Sequence, residues 1–172
     1  MLVVALLLLS PSTMKAQNKR EFRGAWIQCV NGQYLGKSTQ QIQAMLTQQL
    51  DELQKGVNAI IFQVRAECDA LYQSDLEPWS KFLTGVQGKA PSPCWDPLQW
   101  MIEQCHKRGM ELHAWINPYR AKHGSTSMEQ VSAKSVVKRR PDLCFSYDNL
   151  VLLNPGLQEA ADYVCTIAAD IV

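Results

Sequence analysis

The sequence lacks an excess of charge of either sign. Its 172 residues include 17 Lys and Arg and 16 Asp and Glu, so the formal net charge is +1. A chain with so little net charge has no general attraction for polyanions, and we predict no nucleic-acid partner. The one basic run, at 138–140, is short and ends at a proline, so we expect a solvated surface there.

Motifs that bind metals or nucleotides are also missing. The six cysteines contain no Cys-x-x-Cys pair, and the Cys and His residues lack zinc-finger spacing. No glycine pattern for dinucleotides or phosphates follows the first predicted strand. We therefore predict no cofactor and no metal. A metal-dependent hydrolase that uses His113 stays an alternative, with a satisfied core histidine as the plainer interpretation of that residue.

No apolar run is long enough to cross a membrane. The longest, at 2–9, is far shorter than the ~20 residues that a spanning helix needs. It resembles the core of a secretory signal, with a cleavage position after Ala16. We expect a signal peptide at 1–17, no stable membrane span after its removal, and export to the periplasm, the cell envelope or the medium.

Strand-like and helix-like segments alternate through residues 18–172. Strands are predicted at 23–27, 59–64 and 111–117, and a short apolar segment lies at 151–153. Three helices are predicted to begin at capping patterns, which are Ser38 with Gln41, Asp96 with Pro97, and Asn154 with Pro155. A further helix is predicted around 128–137, within the long segment that follows the third strand.

This alternation predicts an α/β fold with parallel strands. An open doubly wound sheet and a (β/α)₈ barrel both fit it, and the missing nucleotide-binding glycines favour the barrel. A barrel needs ~250 residues. We therefore expect residues 18–172 to be the N-terminal part of a TIM barrel, truncated after about three strand–helix units, and poorly soluble and inactive in isolation.

Candidate site residues lie where the predicted strands end, because barrel active sites are built there. Aromatic rings beside amides, cations and carboxylates suit a sugar, which has an apolar ring face and a rim of hydroxyls. The candidate substrate-binding residues are Trp26, Gln63, Arg65, Trp79, Trp115, Asn117, Tyr119 and Arg120. The carboxylates at these positions, Glu67 and Asp69, are the candidate catalytic residues.

The polar candidates also have structural interpretations. A buried Arg65 is costly unless paired, and Glu67 or Asp69 is the expected partner. Such a structural pair competes with a substrate contact for Arg65. Asn117 precedes a proline and could cap a turn instead of contacting substrate.

The aromatic candidates also have structural interpretations. Trp26 and Trp115 could be core residues rather than platforms for sugar stacking. Trp79 could be a binding-loop residue or a plug that packs its long loop against the fold.

Eight segments in order make the chain resemble the family 10-like glycosyl hydrolases, exported bacterial (β/α)₈ proteins. The segments are FRGAW at 22–26, FQVR at 62–65, DALY at 69–72, EPWS at 77–80, GVQGKAP at 85–91, DPL at 96–98, HKRG at 106–109 and HAWINPYR at 113–120. The resemblance implies a glycoside hydrolase for a bacterial cell-wall or other polysaccharide, with peptidoglycan among the expected glycans. It also implies a further strand, ending in two aspartates, after residue 172. Glu67 and Cys68 stand where the family is expected to have a small residue followed by glycine.

Glycoside hydrolysis normally uses two carboxyl groups. We expect Asp69 and Arg65 to bind and orient the sugar, and the main catalytic acid to lie beyond residue 172. A non-catalytic carbohydrate-binding barrel of the cell envelope is the alternative.

Overall fold

The computed structural model describes residues 21–172, and the predicted signal peptide lies outside the described residues. A parallel sheet forms the centre of this part of the chain, with strand order β1-β2-β3. Its strands are β1 (Gly24–Ile27), β2 (Ala59–Arg65) and β3 (Glu111–Ile116). The three predicted parallel strands are thus present within a residue or two of their expected bounds.

Helices connect the strands and follow them along the chain. They are α1 (Thr39–Leu53), α2 (Lys81–Thr84), α3 (Pro97–Lys107), α4 (Val136–Arg139) and α5 (Gln158–Ile171), with single 3₁₀ turns at Met128–Gln130 and Pro141–Leu143. The order β1, α1, β2, α3, β3 gives two parallel crossovers. This mixed α/β arrangement is the unit that repeats in a (β/α)₈ barrel.

Two of the predicted helix starts are confirmed at atomic detail. The Ser38 hydroxyl accepts from the Gln41 amide at 3.2 Å, and the Gln41 side chain accepts from the Ser38 amide at 2.8 Å. At α3 the Asp96 carboxylate accepts from the Gln99 amide at 2.9 Å. These contacts satisfy amides that have no partner within the first turn of a helix.

The predicted cap at Asn154 is wrong. The α5 helix begins at Gln158, and its N-cap residue is Leu157. Oδ1 of Asn154 instead accepts from the Gly156 amide at 3.0 Å, so the side chain closes a turn before the helix.

The segment after β3 differs most from its prediction. It contains an antiparallel sheet with strand order β4-β6-β5, formed by β4 (Arg120–Lys122), β5 (Cys144–Tyr147) and β6 (Leu150–Leu153). The short apolar segment at 151–153 belongs to β6 and pairs within this second sheet. The helix predicted around 128–137 is wrong, because Val131 is extended and Ser135 caps a new helix through the Val137 amide.

Two apolar clusters pack these layers. The larger lies between the parallel sheet and the helices α1 and α3. The smaller includes Cys68, Leu143 and Leu153 and packs β4, β6 and α5 together. Of the described residues, none lies in a helix long and apolar enough to span a membrane.

Candidate functional site

The ends of β2 and β3 meet through side-chain contacts of three candidate residues. Nη1 of Arg65 donates to the carbonyls of Asn117 at 2.7 Å and Pro118 at 3.1 Å. The indole Nε1 of Trp115 donates to Oδ1 of Asn117 at 3.2 Å. Arg65, Trp115 and Asn117 therefore form one cluster, as neighbouring parallel strand ends should.

The predicted partner of Arg65 is wrong. Its guanidinium pairs with Glu77 rather than with Glu67 or Asp69, through Nε to Oε2 at 2.7 Å and Nη2 to Oε1 at 2.6 Å. Glu77 reaches this position because the loop after β2 turns back, with a parallel bridge between Ala70 and Trp79. Both charged side chains are wholly buried.

These contacts favour the structural interpretation of Arg65. Its remaining Nη2 contact is to Sγ of Cys68 at 2.8 Å, so Nε, Nη1 and Nη2 each have a partner within the chain. The side chain supports the loop that follows β3, which carries Asn117 and Arg120. Arg65 therefore affects a substrate indirectly, because it holds that loop in position.

Sequence analysis missed two residues of this cluster, Glu77 and Tyr163. The Tyr163 hydroxyl of α5 donates to Oε1 of Glu77 at 2.8 Å. Glu77 lies in the EPWS segment that contributed to the family resemblance, and that segment is the feature of the sequence that could have indicated it. Tyr163 lies in a regular helical pattern, where nothing in the sequence distinguishes it.

Gln63 and Asn117 also support the strand ends. Oε1 of the buried Gln63 accepts from the Cys29 amide at 3.1 Å, which ties β2 to the residues after β1. The carbonyl of Ala66 accepts from Nδ2 of Asn117 at 3.1 Å and from Nε of Arg120 at 3.0 Å. The loops after all three strands are therefore cross-linked by side chains.

The aromatic candidates occupy different positions. Trp26 and Trp115 meet edge to face, with ring centroids 5.0 Å apart, and Trp26 is 66% exposed. Trp79 packs against the larger apolar cluster, as the plug interpretation predicts, and Tyr119 packs against the smaller one. Among the aromatic candidates, Trp26 offers the most accessible ring surface to a sugar.

The candidate carboxylates lie behind the surface. Oε2 of Glu67 accepts from the Thr126 hydroxyl at 2.8 Å. Nζ of Lys81 is 3.4 Å from Oε1 of Glu67, an ionic contact that lacks hydrogen-bond geometry. Lys81 and Thr126 also contact each other, and neither was predicted.

Asp69 is more enclosed still. Its Oδ1 accepts from the Glu67 amide at 3.1 Å, and the side chain has no exposed surface. Loss of hydration on burial raises the pKa of Asp69 to about 6. A carboxyl with such a pKa holds its proton under mildly acidic conditions in which an exposed aspartate has lost it.

A cavity of about 400 Å³ opens where the loops after β1, β2 and β3 meet. Its wall includes Asn31 from the first loop, Lys81 from the second and Arg120 from the third, with His123 and Ser125 beyond. Arg120 is the one predicted site residue in this wall. Trp26 lines a separate cavity of about 460 Å³ beside α1.

His113 does not lie in either cavity. Its Nε2 is 3.2 Å from Oε2 of Glu111, and both side chains are about half exposed or more. Within residues 21–172, the His, Cys, Asp and Glu side chains form no group of three that could bind a metal ion. The core interpretation of His113 is also wrong, since the residue lies at the surface of the described part.

Comparison with known proteins gives a consistent result. A family model described as Glycosyl hydrolase-like 10 matches residues 21–172. Glycosyl hydrolase YngK of Bacillus subtilis (strain 168) is 40% identical over 159 residues, which cover 90% of this chain and 31% of that protein. Glycosyl hydrolase DigH of Escherichia coli (strain K12) is 34% identical over an alignment that covers 94% of this chain and 41% of that protein. The chain thus spans between 31% and 41% of the length of these curated relatives.

Proposed function

The chain belongs to the glycosyl hydrolase-like 10 family, and from this premise we propose that it forms part of the substrate site of a glycoside hydrolase. The substrate is a bacterial cell-wall or other polysaccharide, and the reaction uses carboxyl groups as acid and base. The observation that carries this proposal is the cavity enclosed by the three loops that follow β1, β2 and β3. Active sites of barrel enzymes lie at this end of the strands.

Within the described residues, Glu67 and Asp69 are the carboxyl groups behind this cavity. Glycosidases carry two carboxyl groups ~5–5.5 Å apart for retention or ~6.5–9.5 Å apart for inversion, and both must reach the scissile bond. Glu67 and Asp69 are 1% and 0% exposed, so in this proposal they act on the sugar only through the cavity residues that they hold in place. The relatives are longer than this chain, and we propose that the main catalytic acid of such a full-length protein lies outside the part that corresponds to residues 21–172.

The proposed setting is outside the cytoplasm. The apolar run at 2–9 favours export, because it has the length and composition of a signal core. Periplasm, cell envelope and medium all give access to a cell-wall glycan.

A non-catalytic carbohydrate-binding barrel is the second candidate. The observation that favours it is the occupation of both carboxylates by groups of the chain itself. Glu67 contacts Thr126 and Lys81, and Asp69 accepts from the Glu67 amide and the Gln87 side chain. Such a protein would bind a glycan without breaking it.

The test measures new reducing ends. Full-length protein is incubated with purified peptidoglycan glycan strands, chitin and β-glucan, and the released ends are counted alongside binding. We expect cleavage of at least one polymer, with kcat/KM lowered about tenfold or more by Glu67→Gln or Asp69→Asn, because misplacement of a substrate by ~1 Å has effects of this size. Glu103→Gln, an exposed change on α3, is the matched control. Binding of a glycan without cleavage would establish the second candidate instead.

A further inference from the structure

The cavity between the three loops carries positive charge at its surface. Lys81 and Arg120 both line it, and none of the described residues in its wall is acidic. Its volume of about 400 Å³ lies within the ~300–1,000 Å³ that is common for ligand pockets. A cavity with this lining favours a ligand that bears negative charge.

The two cations differ in how far the chain already neutralises them. Lys81 lies 3.4 Å from Glu67, whose side chain is 1% exposed and lies behind the wall. Arg120 has one hydrogen bond, from Nε to the carbonyl of Ala66 at 3.0 Å. Within residues 21–172, Nη1 and Nη2 of Arg120 have no hydrogen-bond partner, and no carboxylate lies within 4 Å of this guanidinium.

The anchored guanidinium is suited to a carboxylate. A planar guanidinium can donate two parallel hydrogen bonds to the two oxygens of one carboxylate. The bond to Ala66 restricts the side chain before a ligand arrives, which reduces the entropy lost on binding. About one positive charge is left over in the wall after the contact between Lys81 and Glu67, and this matches a ligand group with a single negative charge.

We propose that this cavity binds a carboxylate of the substrate glycan, with Arg120 as the primary contact and Lys81 as the second cation. The inference rests on the proposed function and narrows its substrate to acidic glycans. Arg120 then determines specificity and is not part of the acid/base chemistry.

The experiment compares two probes that share a backbone. Carboxymethyl chitin oligosaccharide carries a carboxylate on an ether substituent, and hydroxyethyl chitin oligosaccharide carries a neutral hydroxyl in the same place. Binding of each to the full-length protein is measured by titration calorimetry at low salt. We expect the carboxylated probe to bind at least tenfold more tightly, with an advantage that shrinks at 0.5 M NaCl because salt screens exposed charges.

Variants assign this preference to its residues. Arg120→Gln is expected to abolish the preference, and Arg120→Lys to keep part of it, since Lys retains the charge without the planar fork. Lys81→Gln reduces the preference independently of the contact with Ala66. Lys107→Gln removes the same charge from the exposed end of α3 and should leave the preference unchanged.

Thermal melting shows that each variant is folded, and Lys81→Gln keeps the test decisive if Arg120→Gln fails to fold. Equal binding of the two probes by the unaltered protein, or a preference that survives both Arg120→Gln and Lys81→Gln, overturns the proposed carboxylate site. Cleavage assays on the same probes separate this result from the proposed function. A carboxylate preference without cleavage of these probes or of the three polymers above supports the carboxylate site and contradicts the hydrolase. Cleavage without a preference does the reverse.

Discussion

Arg65 and Glu77 form a two-point ion pair in which neither side chain has any exposed surface, with N–O distances of 2.7 and 2.6 Å. Burial of two charges costs several kcal/mol each unless both are fully paired. Here the guanidinium also donates to the carbonyls of Asn117 and Pro118, and the carboxylate also accepts from Tyr163. The pair therefore links β2, the loop after β3 and the helix α5.

Glu77→Gln tests this linkage. The change keeps the shape of the side chain but leaves the buried Arg65 charge without its counterion. Loss of one member of a buried pair typically costs about 3–5 kcal/mol, and we expect the free energy of unfolding to fall by about that amount. Urea unfolding followed by far-UV circular dichroism gives the measurement.

The exposed Glu103→Gln is the matched control, and it should change the free energy of unfolding by less than about 0.5 kcal/mol. A loss below about 1 kcal/mol in Glu77→Gln would show that the pair is solvated or that another group takes over the contact with Arg65.

Asn117→Ala tests the support of the loop after β3. The change removes the donor to the Ala66 carbonyl at 3.1 Å and the acceptor for the Trp115 indole at 3.2 Å. At about 1 kcal/mol for each lost hydrogen bond, we expect a loss of roughly 2 kcal/mol in the free energy of unfolding. Substitution of the half-buried Gln43 of α1 by Ala is the control, and an effect no larger than that of the control would contradict the role of Asn117.

Asp96→Ala tests the start of α3. Asp96 accepts from the Gln99 amide at 2.9 Å and from the Gln73 amide at 2.8 Å, so one carboxylate joins the helix to the loop before it. Loss of a cap costs about 0.5–2 kcal/mol, and we expect the upper end of that range because two amides lose their partner. Asp75→Ala in the exposed part of the same loop is the control, and an equal effect of the two changes would exclude the capping role.

The regular elements were predictable because local chemistry determines them. The apolar run that forms β2 and the caps at Ser38 and Asp96 each depend on residues close in sequence. The chain's strand–helix order then limits the topology, since parallel strands need helical crossovers. These features required no knowledge of contacts between distant residues.

The contacts of the site were less predictable because they depend on how a loop returns. Arg65 was expected to pair with its near neighbours, and its partner is instead Glu77, brought back by the bridge between Ala70 and Trp79. Lys81 lies in the cavity wall because the same loop turns back. The antiparallel sheet was missed because its strands have only three or four residues each, and β4 and β5 show no apolar pattern of their own.

Asp69→Asn tests the burial of this carboxyl through pH. The pKa of Asp69 is raised to about 6 by burial, whereas an aspartate in the unfolded chain has a pKa of ~3.9. Between these values the folded state holds a proton that the unfolded state has lost. The stability that this proton contributes is fully present below about pH 4 and is lost as the pH rises through 6.

Asn does not titrate, and its carbonyl oxygen can still accept from the Glu67 amide. The free energy of unfolding of the unaltered protein, minus that of Asp69→Asn, should therefore fall by roughly 2–3 kcal/mol between pH 4 and pH 7. Urea unfolding of both proteins at half-unit steps of pH gives the two curves, and titrating groups that do not interact with Asp69 cancel in their difference. A difference that stays constant over this range would mean that Asp69 is ionised and hydrated in the folded state, and that the enclosure of this carboxyl does not exist in solution.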